Sequence, residues 1–175
     1  MTATTRNRME GKPRDSRGLP IPYVQFLYAD GTPDFRTIDE AKLARALRFR
    51  LCGLCGEGMG RHVHFVGGPK CVEFGHFYDP PMHRSCAELA LRTCPHLARS
   101  KGKYADTNPR GDLGETKLVV GKVDPEKCEW FALMHTTAYS YRHEKNGMMI
   151  IRAKLPWLNI ERWQDGAKIT EGTTP

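Results

Sequence analysis

Cys52-Gly53-Leu54-Cys55 and His83-Arg84-Ser85-Cys86, with 27 residues between Cys55 and His83, decide how this chain is read. Three thiols and an imidazole in two short pairs form the donor pattern of a tetrahedral zinc site. The first pair needs a tight turn to bring both sulfurs onto one ion, and Gly53 and Gly56 give the backbone that freedom. The second pair is spaced three apart, which on a helix puts both side chains on one face. Pro80 and Pro81 precede it, and the run Ala87-Glu88-Leu89-Ala90-Leu91 favours helix. A short helix is therefore expected to carry His83 and Cys86 in its first turn and to end near Cys94-Pro95. The expected ligands of a structural zinc are Cys52, Cys55, His83 and Cys86. Cys71, Cys94 and His96 stand close enough in sequence to replace His83. The plainer reading is a set of buried thiols that pack as small hydrophobes beside a surface histidine.

Two strand-like runs lie between the pairs, residues 61–66 and 71–77, with Gly67-Gly68-Pro69 as the turn. The order would then be knuckle, hairpin, helix, which resembles a treble-clef zinc finger. A closed site of three Cys and one His leaves no position for a substrate water, so its default role is folding.

The surroundings read as α+β. Residues 23–28 have strand character, and 29–33 form a turn. Thr37-Ile38-Asp39-Glu40 is a capping-box pattern that opens a helix running to about Arg50. Leu43, Ala46 and Leu47 form its inward stripe, and Lys42, Arg45, Arg48 and Arg50 decorate the rest. Toward the C-terminus, residues 116–123, 130–139, 148–153, 160–163 and 167–170 read as strands. Asn146-Gly147 and Asp165-Gly166 read as hairpin turns. This predicts an antiparallel β-meander with Trp130, Trp157 and Trp163 in its core. Four segments follow: a disordered basic arm over 1–18, a zinc module over 19–98, a linker over 99–114 and the meander over 115–175.

The chain has 175 residues, 39% of them apolar, with a net charge of +7. No apolar run is long enough to span a membrane, and the N-terminal residues lack the apolar core of a secretory signal. Six cysteines with metal-ligand spacing and no signal fit a reducing cytoplasm better than a disulfide framework. The basic balance favours nucleic acid, acidic proteins or anionic surfaces as partners. There is no P-loop, no strand–helix G-x-G-x-x-G and no H-E-x-x-H.

Several pieces resemble an uncharacterised zinc-binding protein family of bacteria, notably actinobacteria, and their phages. They are Gly18-Leu-Pro-Ile-Pro-Tyr23, Gly31-Thr-Pro-Asp-Phe-Arg36, Leu51-Cys-Gly-Leu-Cys-Gly56, Pro81-Met-His-Arg-Ser-Cys-Ala87, Thr93-Cys-Pro-His-Leu97 and Thr136-Thr-Ala-Tyr139. The resemblance implies zinc binding and brings no activity with it. A phage origin would fit a small accessory protein working in the host cytoplasm.

Three functions compete. The first is non-catalytic binding of DNA or RNA through Arg45, Arg48, Arg50, Arg61, Lys101 and Lys103. The second is a protein-interaction module that modulates a host protein complex. The third is a metal-dependent nuclease, with His64 on the first predicted strand as water-activating base and His62 beside it. That third reading lacks the expected Asp-His pair, and no Asn or His follows on the helix once His83 holds zinc.

Overall fold

Asp39 decides where the first helix starts. Its side chain accepts a 3.0 Å hydrogen bond from the Lys42 amide, so it is the N-cap, two residues beyond the Thr of the capping-box pattern. Helix α1 (Glu40–Phe49) buries Leu43, Ala46 and Leu47, as its periodicity predicts, and ends at Arg50 in the left-handed conformation. Pro33, read as the end of a turn, and Thr37–Asp39, read as part of a capping box, instead belong to one strand over Pro33–Asp39.

The computed structural model describes residues 8–98, 117–119, 128–144 and 148–169. Among them lie three helices and ten strands, and every strand pairing is antiparallel. One sheet joins β1 (Gln25–Leu27), β2 (Pro33–Asp39) and β5 (Lys117–Val119) in that order. A second has the order β10-β9-β6-β3, from β3 (Val63–Gly67), β6 (Phe131–Thr136), β9 (Asn159–Gln164) and β10 (Ala167–Lys168). The third has the order β4-β8-β7, from β4 (His76–Phe77), β7 (Tyr139–His143) and β8 (Met149–Ala153). The class is α+β, as expected.

Two expectations about arrangement are corrected. The hairpin between the ligand pairs does not form: β3 pairs with β6, β4 pairs with β8, and Pro69–Phe74 is helix α2. Pro69 is suited to the first turn of a helix, and Gly75 closes α2 at φ 64°, so the local signals favour helix over the weak alternation of 71–77. The C-terminal strands also do not form a meander of their own. They are spread over all three sheets, each of which contains a strand from the N-terminal half. The run 130–139, read as one strand, is split between β6 and β7, which lie in different sheets. The boundary at 99–114 thus divides the sequence but not the fold. Residues 99–114 and the Asn146-Gly147 turn lie outside the described residues.

The core follows the sheets. One cluster joins Leu43, Ala46, Leu47, Cys52, Cys55, Phe65, Cys86, Met134, Met149 and Ile151, and a second joins Val66, Ala87, Leu91, Phe131, Leu133 and Trp163. Trp163 anchors the second cluster, whereas Trp130 and Trp157 pack against the first. The expected disordered arm does not describe residues 8–18. Met9 is only 2% exposed, and Arg8 makes a 2.6 Å ion pair with Glu57 of the knuckle. Buried Met9 and this ion pair together hold the segment down.

Candidate metal centre

The knuckle is a miniature hairpin. Leu51 and Gly58 bridge, the Cys52 amide bonds the Glu57 carbonyl at 2.8 Å, and the Gly56 amide bonds the Cys52 carbonyl at 2.9 Å. Gly56 has φ +74°, and a Cβ there would stand 2.7 Å from the Tyr23 ring. Glycine is required on both counts. A Cβ on Gly53 would collide with Pro80, and the Gly53 amide bonds the Pro81 carbonyl at 3.0 Å. These close approaches press the knuckle against the segment that leads into α3 (Arg84–Thr93), whose N-cap is His83.

The result is a cluster of Cys52, Cys55, His83 and Cys86 with one donor atom from each, all within 4.8 Å of one another. The three cysteines are buried and His83 is half-buried. The His83 Nδ1 faces the Cys55 sulfur at 3.4 Å, while Nε2 lies 3.2 Å from the Gly58 carbonyl oxygen. A carbonyl only accepts, so Nε2 carries the proton and Nδ1 is left to bind. The His83 amide points at the Cys52 sulfur at 3.4 Å.

Electrostatics bear on what the cluster could hold. Hydrogen bonds from the Cys52 and Cys86 thiols hold Cys55 far below the ordinary thiol range. The same proximity pushes Cys86 far up, through Cys52, then Cys55, then burial. Cys52 is raised by Cys55 and by burial, against a lowering hydrogen bond from Cys86. One thiolate is at ease here and three are not, unless a cation joins them. The arrangement is compatible with a metal ion.

The alternative ligands are elsewhere. Cys94 is the C-cap of α3, so ten residues of helix, about 15 Å, separate it from His83. His96 lies beyond it. Cys71 is in α2, where its sulfur is 2.7 Å from where a Gly67 Cβ would stand, and burial pushes its pKa up to about 11.

Of the six expected basic residues, four lie among the described residues. Arg45 and Arg48 sit on α1 with their guanidinium carbons 5.6 and 5.4 Å from the Phe49 ring centre, and Phe49 is 55% exposed. Arg50 lies over Tyr139 at 5.3 Å and donates to the carbonyls of Gly60 and Arg61. Tyr139 in turn donates from its hydroxyl to the Leu47 carbonyl at 3.1 Å. Lys101 and Lys103 lie outside the described residues.

A second polar cluster is only half visible in the sequence. His64 of β3 stands opposite His135 of β6, which stands opposite Asn159 of β9. The His64 and His135 rings stack at 4.7 Å, and His62 Nδ1 is 2.9 Å from His135 Nε2. Burial lowers His64 to about 4, helped by the charges of His135, Arg84 and His62 against Glu161. Next along the same face, buried Glu161 accepts from Arg84 at 2.6 Å and pairs with Lys168 at 3.2 Å. The His62/His64 alternation points to one face of one strand. No local signal tells that β6 and β9 would complete it, because their register is set across nearly a hundred residues.

No protein-family model, curated protein or solved structure matches this chain. Among the described residues, no helix is long and apolar enough to cross a membrane.

Proposed function

We propose that the chain is a zinc-stapled module that binds DNA or RNA without catalysis, through the surface at the C-terminal end of α1. The zinc part rests on donor type and spacing. Tetrahedral zinc with Zn–S near 2.3 Å and Zn–N near 2.0–2.1 Å puts a sulfur and a nitrogen donor about 3.5–3.6 Å apart, close to the Cys55–His83 separation of 3.4 Å. Three soft thiolates and one imidazole favour zinc over magnesium or calcium. A closed set of four ligands assigns the ion to folding.

The nucleic-acid part rests on one observation: Phe49 stands more than half exposed, with the guanidinium carbons of Arg45 and Arg48 5.6 and 5.4 Å from its ring centre. An exposed aromatic face suits base stacking, and flanking arginines suit phosphates. Arg50, at the C-cap of α1, adds a third guanidinium at this end and donates to the Arg61 main-chain carbonyl. The test is a titration against labelled single- and double-stranded DNA and RNA at two salt concentrations. Binding that weakens steeply with salt supports the reading, and no binding at low salt overturns it.

A second reading, docking onto a host protein, has its own observation. Phe74, Leu155, Leu158 and Ile160 are 56%, 42%, 59% and 42% exposed. Capture of a partner that is insensitive to salt and abolished by Leu158→Asp would favour it.

A further inference from the structure

We propose that His62, His64 and His135 form a second metal site, open to solvent, that takes a borderline divalent transition ion such as Zn2+, Co2+ or Ni2+. It is independent of the cysteine cluster and of the nucleic-acid reading, so either can fail without the other.

The sheet register builds the site. His64 and His135 are directly opposed on neighbouring antiparallel strands, so their side chains leave the same face within reach of each other. His62 precedes His64 by two and emerges on that same side. His62 Nδ1 and His135 Nε2 approach to 2.9 Å. A hydrogen bond accounts for that distance, and so do two donors at right angles, the cis pair of a six-coordinate ion, with bonds of about 2.1 Å.

His64 gives the observation that a hydrogen bond between its neighbours does not explain. It is only 7% exposed, and its Nδ1 is enclosed with no partner among the described residues. Buried polar atoms are nearly always satisfied, so this nitrogen calls for a partner that the described residues do not supply. The stacked rings of His64 and His135 are only 12° from parallel, so their in-plane lone pairs do not meet at one point. His62 and His135 are therefore the primary pair, and His64 joins by turning about χ2, a soft torsion for this residue.

Ligand type fixes the class of ion. Imidazole nitrogen suits zinc, cobalt, nickel and copper, whereas magnesium and calcium need oxygen. The nearby Glu161 carboxylate, whose Oε2 has no partner among the described residues, offsets the Arg84 charge that a cation would meet. Because His62 is exposed, an ion here keeps coordination positions open to solvent, unlike the closed cysteine cluster.

The test uses the full chain with zinc already in the cysteine cluster, dialysed free of excess metal and titrated with Co2+. The expected result is one further bound ion whose visible spectrum lacks thiolate charge-transfer bands. The chain has seven histidines, so variants must locate that ion. His62→Ala, at an exposed position, and His135→Gln are each expected to weaken cobalt binding at least about ten-fold, with circular dichroism unchanged. Magnesium should not compete. Absence of a further ion overturns the proposal, and so does unchanged cobalt binding in the well-folded His62→Ala variant.

Discussion

His83 Nε2 lies 3.2 Å from the carbonyl oxygen of Gly58, so the knuckle itself fixes which nitrogen of its partner histidine faces the three sulfurs. This makes Nδ1 the donor and gives the first prediction. His83→Ala lowers metal affinity by at least about 10–100-fold, the range seen when even an outer partner of a metal ligand is removed. His83→Cys restores much of it by supplying a fourth thiolate. Competition with a chromophoric chelator measures both.

Removing the metal is expected to unfold the knuckle and the start of α3. Structural zinc contributes roughly 10–16 kcal/mol in small modules, comparable with the whole stability of a domain at about 5–15 kcal/mol. Cys52→Ser and Cys86→Ser should lose the ion and the cooperative melt, and a strong chelator should do the same to the wild type. Full metal content with unchanged melting in both variants would refute the site.

Arg45→Ala combined with Arg48→Ala should leave folding within about 0.5 kcal/mol, because both side chains are exposed. Nucleic-acid binding should weaken, and the slope of log K against log salt should fall by about 0.7–0.9 for each phosphate that is no longer neutralised. An unchanged slope would place the binding surface elsewhere.

Acid sensitivity should trace to His64. Its pKa is pushed from an ordinary 6.5 to about 4 by burial first, and then by the charges of His135, Arg84 and His62. Between those values the unfolded chain takes up a proton that the fold refuses. Stability is therefore complete above pH 6.5 and falls as pH drops toward 4, by on the order of 3 kcal/mol. Denaturant melts of wild type and His64→Leu across that window, with the cysteine metal in place, should show a shallower acid loss in the variant.

The Arg84–Glu161 pair should matter more than a surface ion pair. Glu161 is 8% exposed and takes Arg84, Asn159 and Lys168 on the same oxygen. Burial raises its pKa, but the hydrogen bonds from Arg84 and Lys168 outweigh this and leave it lowered. Its contribution is therefore present above about pH 4.5 and lost as pH falls below it. Arg84→Met should cost roughly 1–2 kcal/mol, less than a fully buried pair because Arg84 is half-exposed and Lys168 remains. Thermal melts at neutral pH give the comparison.

Features that depend on near neighbours along the chain are legible in the residues alone. The paired spacing of Cys52, Cys55, His83 and Cys86 marks the four donors, the 3.6 periodicity of Leu43, Ala46 and Leu47 gives α1, and the helix-favouring run 87–91 gives α3, although His83 stands at its extended N-cap and not within its first turn. Each is a constraint within a few residues, where turn geometry and helical period leave few alternatives. Which strands lie side by side is settled at long range. The alternation that makes β3 a strand is satisfied equally by a hairpin partner or by β6, and what selects β6 is the burial of Phe65, Leu133 and Met134 against elements distant in sequence. For the same reason His62 and His64 are readable as residues of one face, while His135 and Glu161 become their neighbours only through a register that local sequence does not encode.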